Sequence, residues 1–400
     1  MNRSASGSSV LPFLLVFLAA CMSQSGTPVA APASAASAVT GARPLADRVA
    51  HGRFVVMTTA CSDCHGGSTN PEAENWLVGA RAVTDTFLAG PFKTYPANLT
   101  PDMTGTGRYT ERQIFNALRY GLRPSETPDV TITSTVPGQG NFPAEPRFLA
   151  PTMPWMVWRH LSDHDIWAVA AYLKHGVKPV QNQTPMSEGP PDHWREAASS
   201  PDFGPYPAVA HPTENETALS TPQILRGRQL IIEKACSGCH GGGPNPAAEG
   251  YLAGVTDVAR DEFQIGPFRT RPRNLTPDNT TGMGRFSERQ IFNALRYGLR
   301  PGETPDVEIT STTPGQGNHP ARPKYLAPPM PWPSWRHLPD SDLWAIAAYL
   351  KNGVKPVSNR VADSEGPPDF WASAYTVEII GPYPAKPYPT AREQLPTGGN

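Results

Sequence analysis

Long apolar runs are almost absent from this sequence. The longest is Val10–Ala20 (VLPFLLVFLAA), about half of the ~20 residues a membrane-spanning helix needs, so no spanning helix is expected. Charge of one sign is lacking too. With 34 Lys+Arg against 35 Asp+Glu, nothing predicts strong attraction to nucleic acid or to an acidic membrane surface. Cysteine is scarce, at five residues in 400, and four of the five form two close pairs, which leaves none for a conventional structural disulfide. Proline, by contrast, is plentiful at 47 residues. That favours short helices joined by ordered, turn-rich loops over long bundles or continuous sheet.

Arg3 precedes the apolar run as in a secretory signal peptide. The run ends in Leu18-Ala19-Ala20-Cys21, which resembles a bacterial lipobox. Residues 1–20 therefore read as a lipoprotein signal peptide and Cys21 as the lipidated first residue of the mature chain. An ordinary signal peptide with a chance Cys is the plainer alternative. Residues 21–46 are rich in Ala, Ser, Pro and Gly without periodicity, as in a flexible tether. The position after Cys21 is Met22, not Asp. By analogy with enteric sorting, this favours an outer-membrane anchor on the periplasmic side of a bacterial cell envelope.

Most of the remaining chain is an internal duplication. Arg112–Pro124 (RQIFNALRYGLRP) recurs unchanged at Arg289–Pro301, Thr133–Asn141 returns as Thr310–Asn318, and Ser187–Asp192 returns as Ser364–Asp369. The offset is 175 residues at the Cys pairs, 176 at Asn98/Asn274 and 177 from Gly105/Gly282 onward. A unit of this size is a domain, not a solenoid repeat. We place one domain at 47–210, a linker at 211–221, a second domain at 222–388 and a loose tail at 389–400.

The units read as mainly helical. Thr110-x-x-Gln113 and Ser287-x-x-Gln290 are capping boxes ahead of Ile114, Phe115, Leu118 and Leu122 at helical spacing. Ser162 can cap a helix through Leu173 that ends before Gly176. Further helices are expected over Val49–Thr59 and Gln223–Lys234, entering the Cys pairs.

Those pairs carry the chemistry. Cys61-Ser62-Asp63-Cys64-His65 and Cys236-Ser237-Gly238-Cys239-His240 have the spacing of covalent haem c attachment. Two thiols three residues apart reach two vinyl-derived positions of one porphyrin, and the adjacent His ligates the iron. A thioredoxin-like redox pair lacks its βαβ context, and a zinc site would need another ligand. Two haem c groups are expected: Cys61, Cys64, Cys236 and Cys239 as attachment points, His65 and His240 as proximal ligands.

Met153 and Met330 are the expected distal ligands. Each sits in a Met-Pro-Trp run, 88 and 90 residues beyond its haem His, where flanking prolines restrict the loop. His160 and His337, in Trp-Arg-His-Leu, are the repeated rivals. Met57, Met103, Met156, Met186 and Met283 have no Met counterpart in the other repeat and read as gap-filling. Arg119/Arg296, Tyr120/Tyr297, Trp158/Trp335 and Asn98/Asn274 could line the haem or simply pack. Pro91 and Pro267 could offer a carbonyl to the proximal His Nδ1.

Together these motifs resemble the cytochrome c subunits of membrane-associated alcohol and sugar dehydrogenases. The matching run is Gly-Pro-Phe-x-Thr, Asn98–Asp102, Thr104-Gly105-x-Gly107, Ile114–Arg119, Met153-Pro154-Trp155 and Asp163–Leu173, with a second match in the other repeat. Those subunits typically carry three haem motifs, and this chain carries two. The resemblance implies tandem duplicated cytochrome c domains with long Pro/Gly-rich loops, and electron transfer without enzymatic activity of the chain's own. Implied partners are redox proteins (a dehydrogenase, a small cytochrome or an oxidase) and the membrane through the N-terminal lipid, with no nucleic acid. The near-identical surroundings of the two haem motifs predict similar potentials. A di-haem peroxidase or thiosulfate-oxidising cytochrome would need one open, dissimilar haem site, and a haem-bearing sensory or scaffold module would need a signalling domain.

Overall fold

The computed structural model describes residues 43–82, 86–89, 92–150, 153–189, 204–256, 262–265, 268–366 and 375–397. Cys21, the signal peptide and all but the end of the expected tether lie outside them, as do Pro91 and Pro267.

Two series of elements follow one another in the same order. The first comprises α1 (Leu45–Thr58), α2 (Cys61–His65), β1 (Phe87–Ala89), β2 (Phe92–Thr94), α3 (Glu111–Tyr120), α4 (Trp155–Trp158) and α5 (Asp163–Ala171). The second comprises α6 (Pro222–Glu233), α7 (Cys236–His240), β3 (Phe263–Ile265), β4 (Phe268–Thr270), α8 (Glu288–Tyr297), α9 (Trp332–Trp335) and α10 (Asp340–Ala348), and α11 (Val377–Ile380) follows. The molecule is mainly helical, as expected. Strands are confined, among the described residues, to two antiparallel hairpins pairing Phe87 with Thr94 and Phe263 with Thr270.

Local sequence explains the helix ends. Thr110 Oγ1 accepts from Gln113 N while Gln113 Oε1 accepts from Thr110 N, and Ser287 and Gln290 repeat the exchange. Both of these helices stop at a glycine in the left-handed region, Gly121 at φ 71° and Gly298 at φ 71°. Ser162 caps α5 through Asp165 N. The last turn of that helix departs from expectation. α5 ends at Ala171 and widens into a π-turn over Tyr172–Gly176, and α10 does the same over Tyr349–Gly353. In these turns Lys174 Nζ donates to the carbonyls of Thr106, Gly107 and Tyr109, and Lys351 Nζ to those of Met283, Gly284 and Phe286.

Helices α1 and α5 cross closely, as do α6 and α10. A Cβ at Gly52 would collide with the Ala168 carbonyl, and one at Gly227 with that of Ala345, so both crossings need glycine. Apolar side chains gather in two clusters. One contains Val49, Val56, Trp76, Leu77, Phe115, Trp155, Ile166 and Tyr172. The other contains Ile224, Ile231, Tyr251, Leu252, Phe292, Trp335, Leu343 and Tyr349.

The segments read as linker and tail close these cores, the linker on the second half, which it directly precedes, and residues 389–394 on the first half, remote from them in sequence. Glu393, 2% exposed, takes Arg53 Nε at 2.7 Å and the Tyr172 hydroxyl at 2.5 Å on one carboxylate oxygen. Thr390 Oγ1 donates to Pro71 O, and Gln394 N to Gly176 O. Glu216, also 2% exposed, takes Arg228 Nε at 2.6 Å and the Tyr349 hydroxyl at 2.5 Å. Thr213 Oγ1 donates to Pro246 O, and Thr217 N to Gly353 O. Residues 389–394 are therefore not a loose tail. Burial of the Glu393 carboxylate against a guanidinium and a phenol fixes them.

Candidate functional site

Each Cys pair occupies one short helical turn, α2 or α7, entered through an alanine in the left-handed region, Ala60 at φ 59° and Ala235 at φ 58°. Such a turn sets the first Cys, the second Cys and the His at successive points around a helix. No disulfide joins the described cysteines; Cys64 and Cys239 are exposed, Cys61 is half-buried and Cys236 is buried. Burial pushes the Cys61 thiol up to about 11 and the Cys236 thiol to about 12. A thiol-exchange nucleophile needs the opposite shift, so these are poor redox-motif cysteines.

Both histidines are buried, 7% exposed at His65 and 9% at His240. His65 Nδ1 donates to Ala97 O at 2.7 Å, and His240 Nδ1 to Arg273 O at 2.7 Å. The expectation that Pro91 and Pro267 supply these carbonyls is corrected. The acceptors are the residues before Asn98 and Asn274, whose amides pin that loop. Asn98 Oδ1 accepts from Thr100 N at 2.9 Å while Nδ2 donates to Val180 O at 2.9 Å; Asn274 uses Thr276 N and Val357 O in the same way. The Asn signal was visible in sequence, but the carbonyl it positions carries no side-chain signature.

Burial lowers both imidazole pKa values, and the carbonyl bond only partly opposes this. Burial thus favours the neutral ring, while the carbonyl acceptor fixes a proton on Nδ1 and leaves Nε2 as the basic nitrogen. This is the form that ligates a metal.

Each expected methionine packs against the same apolar cluster as the first Cys of its pair. Met153 and Cys61 are both half-buried against the first apolar cluster; Met330 packs against the second, which contains Cys236. Each methionine lies on a loop held against the end of the preceding helix. Leu149 N donates to Gly121 O at 2.7 Å, and Leu326 N to Gly298 O at 2.7 Å. Trp155 and Trp332 fill the space over Gly121 and Gly298, where a Cβ would clash. The indole Nε1 of Trp155, in a residue 4% exposed, finds no protein partner among the described residues.

The rival histidines are engaged elsewhere. His160 packs against the Tyr206 ring and His337 against that of Tyr383. Burial, reinforced by neighbouring arginines, lowers them to about 4 and about 3. Arg119 donates to Arg159 O, the Tyr206 hydroxyl and Asp163, and Arg296 to Arg336 O, the Tyr383 hydroxyl and Asp340. Tyr120 and Tyr297 donate to Ile132 O and Ile309 O. Trp158 and Trp335 are buried. These repeated residues hold the scaffold together.

A fit to haem c rests on the donor set. Two thiols and a buried, tautomer-fixed imidazole share one turn, with a thioether against the same core. Nothing in either arrangement conflicts with it.

Comparison with known proteins agrees. Residues 224–353 match the cytochrome c family. The chain is 27% identical over 319 residues to the fructose dehydrogenase cytochrome subunit of Gluconobacter japonicus, covering 76% of this chain and 52% of that protein. It is 28% identical over 319 residues to the cytochrome c subunit of the quinone-type alcohol dehydrogenase of Gluconobacter oxydans, covering 76% and 54%. It is 29% identical over 329 residues to the gluconate 2-dehydrogenase cytochrome c subunit of Pantoea cypripedii, covering 78% and 61%. The chain thus spans roughly half to three fifths of the length of these relatives. No helix among the described residues is long and apolar enough to cross a membrane.

Proposed function

We propose that this chain is an exported di-haem cytochrome c that carries electrons for a dehydrogenase, and that it has no enzymatic activity of its own. Haem c, when bound, supplies a one-electron ferric/ferrous couple. In this reading Cys61 and Cys64 hold one group, and Cys236 and Cys239 the other. His65 and His240 offer Nε2, while Ala97 O and Arg273 O keep the opposite nitrogen protonated. Met153 and Met330 offer thioethers, which favour the reduced metal over a second imidazole. If His65 and Met153, and His240 and Met330, hold the two groups, no substrate site would be required. The names of the relatives support a dehydrogenase as electron donor, and an oxidase or small cytochrome completes the circuit as acceptor. Cys21 is the lipid attachment point in this reading, holding the molecule at the periplasmic side of the outer membrane.

The observation that carries the proposal is the repeated buried imidazole, its Nδ1 held on a backbone carbonyl, directly after a Cys-x-x-Cys turn. Haem content tests it. The pyridine haemochrome assay and intact mass should give two covalent haems per chain, and C61S/C64S and C236S/C239S should each leave one. A single haem in the native chain, or unchanged content in either variant, would overturn the assignment. A di-haem peroxidase is not favoured, because the two sites share the same donor set.

A further inference from the structure

Three side chains with no part in that function converge where α1 meets the start of α5. His51, in the second turn of α1, brings Nε2 to 2.6 Å from Asp165 Oδ1. His164 holds Nδ1 3.8 Å from the same oxygen, and the two imidazole rings lie 4.5 Å apart between centroids. One ligand atom from each of the three residues falls within 4.8 Å of the others. Asp165 Oδ2 accepts from Ser162 Oγ at 2.7 Å, which orients the carboxylate and leaves Oδ1 for the two rings. His164 is exposed and the other two are half-buried, so the cluster opens to solvent while resting on two packed helices.

The other half shows what this place needs for structure alone. There Arg226 donates from Nε and Nη2 to the two oxygens of Asp342, at 2.9 and 2.8 Å, and Ser341 stands where His164 does. One cationic side chain suffices to tie the helices. The first half instead sets two imidazoles around the carboxylate, and the second adds nothing to the tie that a single cation does not already give.

We propose that His51, His164 and Asp165 form a Zn2+ site, with water completing the coordination. Two imidazoles and one carboxylate are a donor set suited to this borderline ion. Bonds of about 2.0–2.2 Å put tetrahedral ligand atoms roughly 3.3 Å apart. To reach that spacing the His51–Asp165 contact opens from 2.6 Å and the His164–Asp165 contact closes from 3.8 Å. Arg226, whose field reaches Asp165, is held by Asp342, which limits its opposition to an incoming cation.

The haem-loaded full chain, dialysed to equilibrium against ZnCl2 with bound metal counted by atomic emission, tests this directly. One saturable Zn2+ per chain is expected, with micromolar affinity. His164→Ala should weaken it about tenfold or more, whereas His175→Ala, which removes a His–carboxylate pair lacking a third ligand, should leave it unchanged. Absorption at the zinc edge should show two imidazoles in the shell. No saturable binding below about 1 mM, or equal affinity in His164→Ala, would overturn the site. His164 is exposed, so its loss should leave the denaturation midpoint nearly unchanged; His51→Gln should weaken Zn2+ binding as His164→Ala does, and unchanged affinity there would equally overturn the site.

Discussion

At the scale of single residues, the chain holds several imidazoles neutral by burying them. His160 and His337 are the most shifted, to about 4 and about 3, chiefly by desolvation. An unfolded chain would protonate both near the ordinary value of about 6.5. Between that value and their folded values the unfolded state binds more protons, so stability falls as pH falls through this window. Each contributes a slope of roughly 1 kcal/mol per pH unit. Chemical denaturation between pH 7 and 4 should show a steep loss, and His160→Gln should flatten part of it. A loss equally steep in the variant would refute the assignment. Sequence could nominate these histidines only as spare ligands, because the adjacent Arg159 and Arg336 do not reveal burial, and the tyrosines and second arginines around them lie 40 or more positions away.

At the scale of elements, what was legible had a local cause. The capping boxes at Thr110 and Ser287 gave α3 and α8 their starts, whereas Leu122, counted at helical spacing, lies beyond the helix that Gly121 ends. The helices entering the Cys turns differed from expectation only at their margins. The π-turns after α5 and α10 and the two short hairpins were illegible, because distant carbonyls and strand pairing, not local pattern, specify them. Gly52 and Gly227 were unremarked for the same reason, since only the crossing shows that a carbonyl lies against them. Gly52→Val should force α1 from α5 and cost about 1–3 kcal/mol by overpacking, read as a lowered denaturation midpoint. A neutral effect would mean that the crossing is looser than described.

At the scale of the whole molecule, the halves share a plan but differ in charge beside the Cys turns. Asp63 lies within the first Cys turn, where the second has Gly238. Arg273, whose carbonyl holds His240, corresponds to Ala97 at His65. Negative charge near the first site favours reduction of the second, and the Arg273 guanidinium, though paired with Asp363 at 2.6 Å, acts in the same direction to a smaller extent. The similar potentials expected from the repeat should therefore split by tens of millivolts, roughly the Coulomb interaction of one screened charge. Potentiometric titration should resolve two steps; Arg273→Ala should lower the upper one and Asp63→Asn raise the lower. Coincident potentials would remove this source of direction. The buried carboxylates give a second test at this scale. Glu393→Gln and Glu216→Gln each leave a buried arginine without its counter-charge, a loss of about 3–5 kcal/mol. The first should loosen the Trp76 core and the second the Tyr251 core, as hydrogen exchange would report. Their shared signal, Pro-Thr-x-x-Glu at 212–216 and 389–393, was readable in the sequence, but the return of the second segment to the first half was not.

That return changes what counts as a piece of this protein. Cutting the gene at the repeat boundaries yields two fragments, each missing its fastener, and the second carries the fastener of the first. A first fragment ending near residue 210 would leave Arg53 and Tyr172 without Glu393, and a second beginning near 222 would leave Arg228 and Tyr349 without Glu216. The self-sufficient second fragment begins before His211, and a self-sufficient first fragment needs residues 388–394 grafted onto its end. Anyone seeking one redox centre in isolation should divide the chain along its hydrogen bonds, not along its repeat.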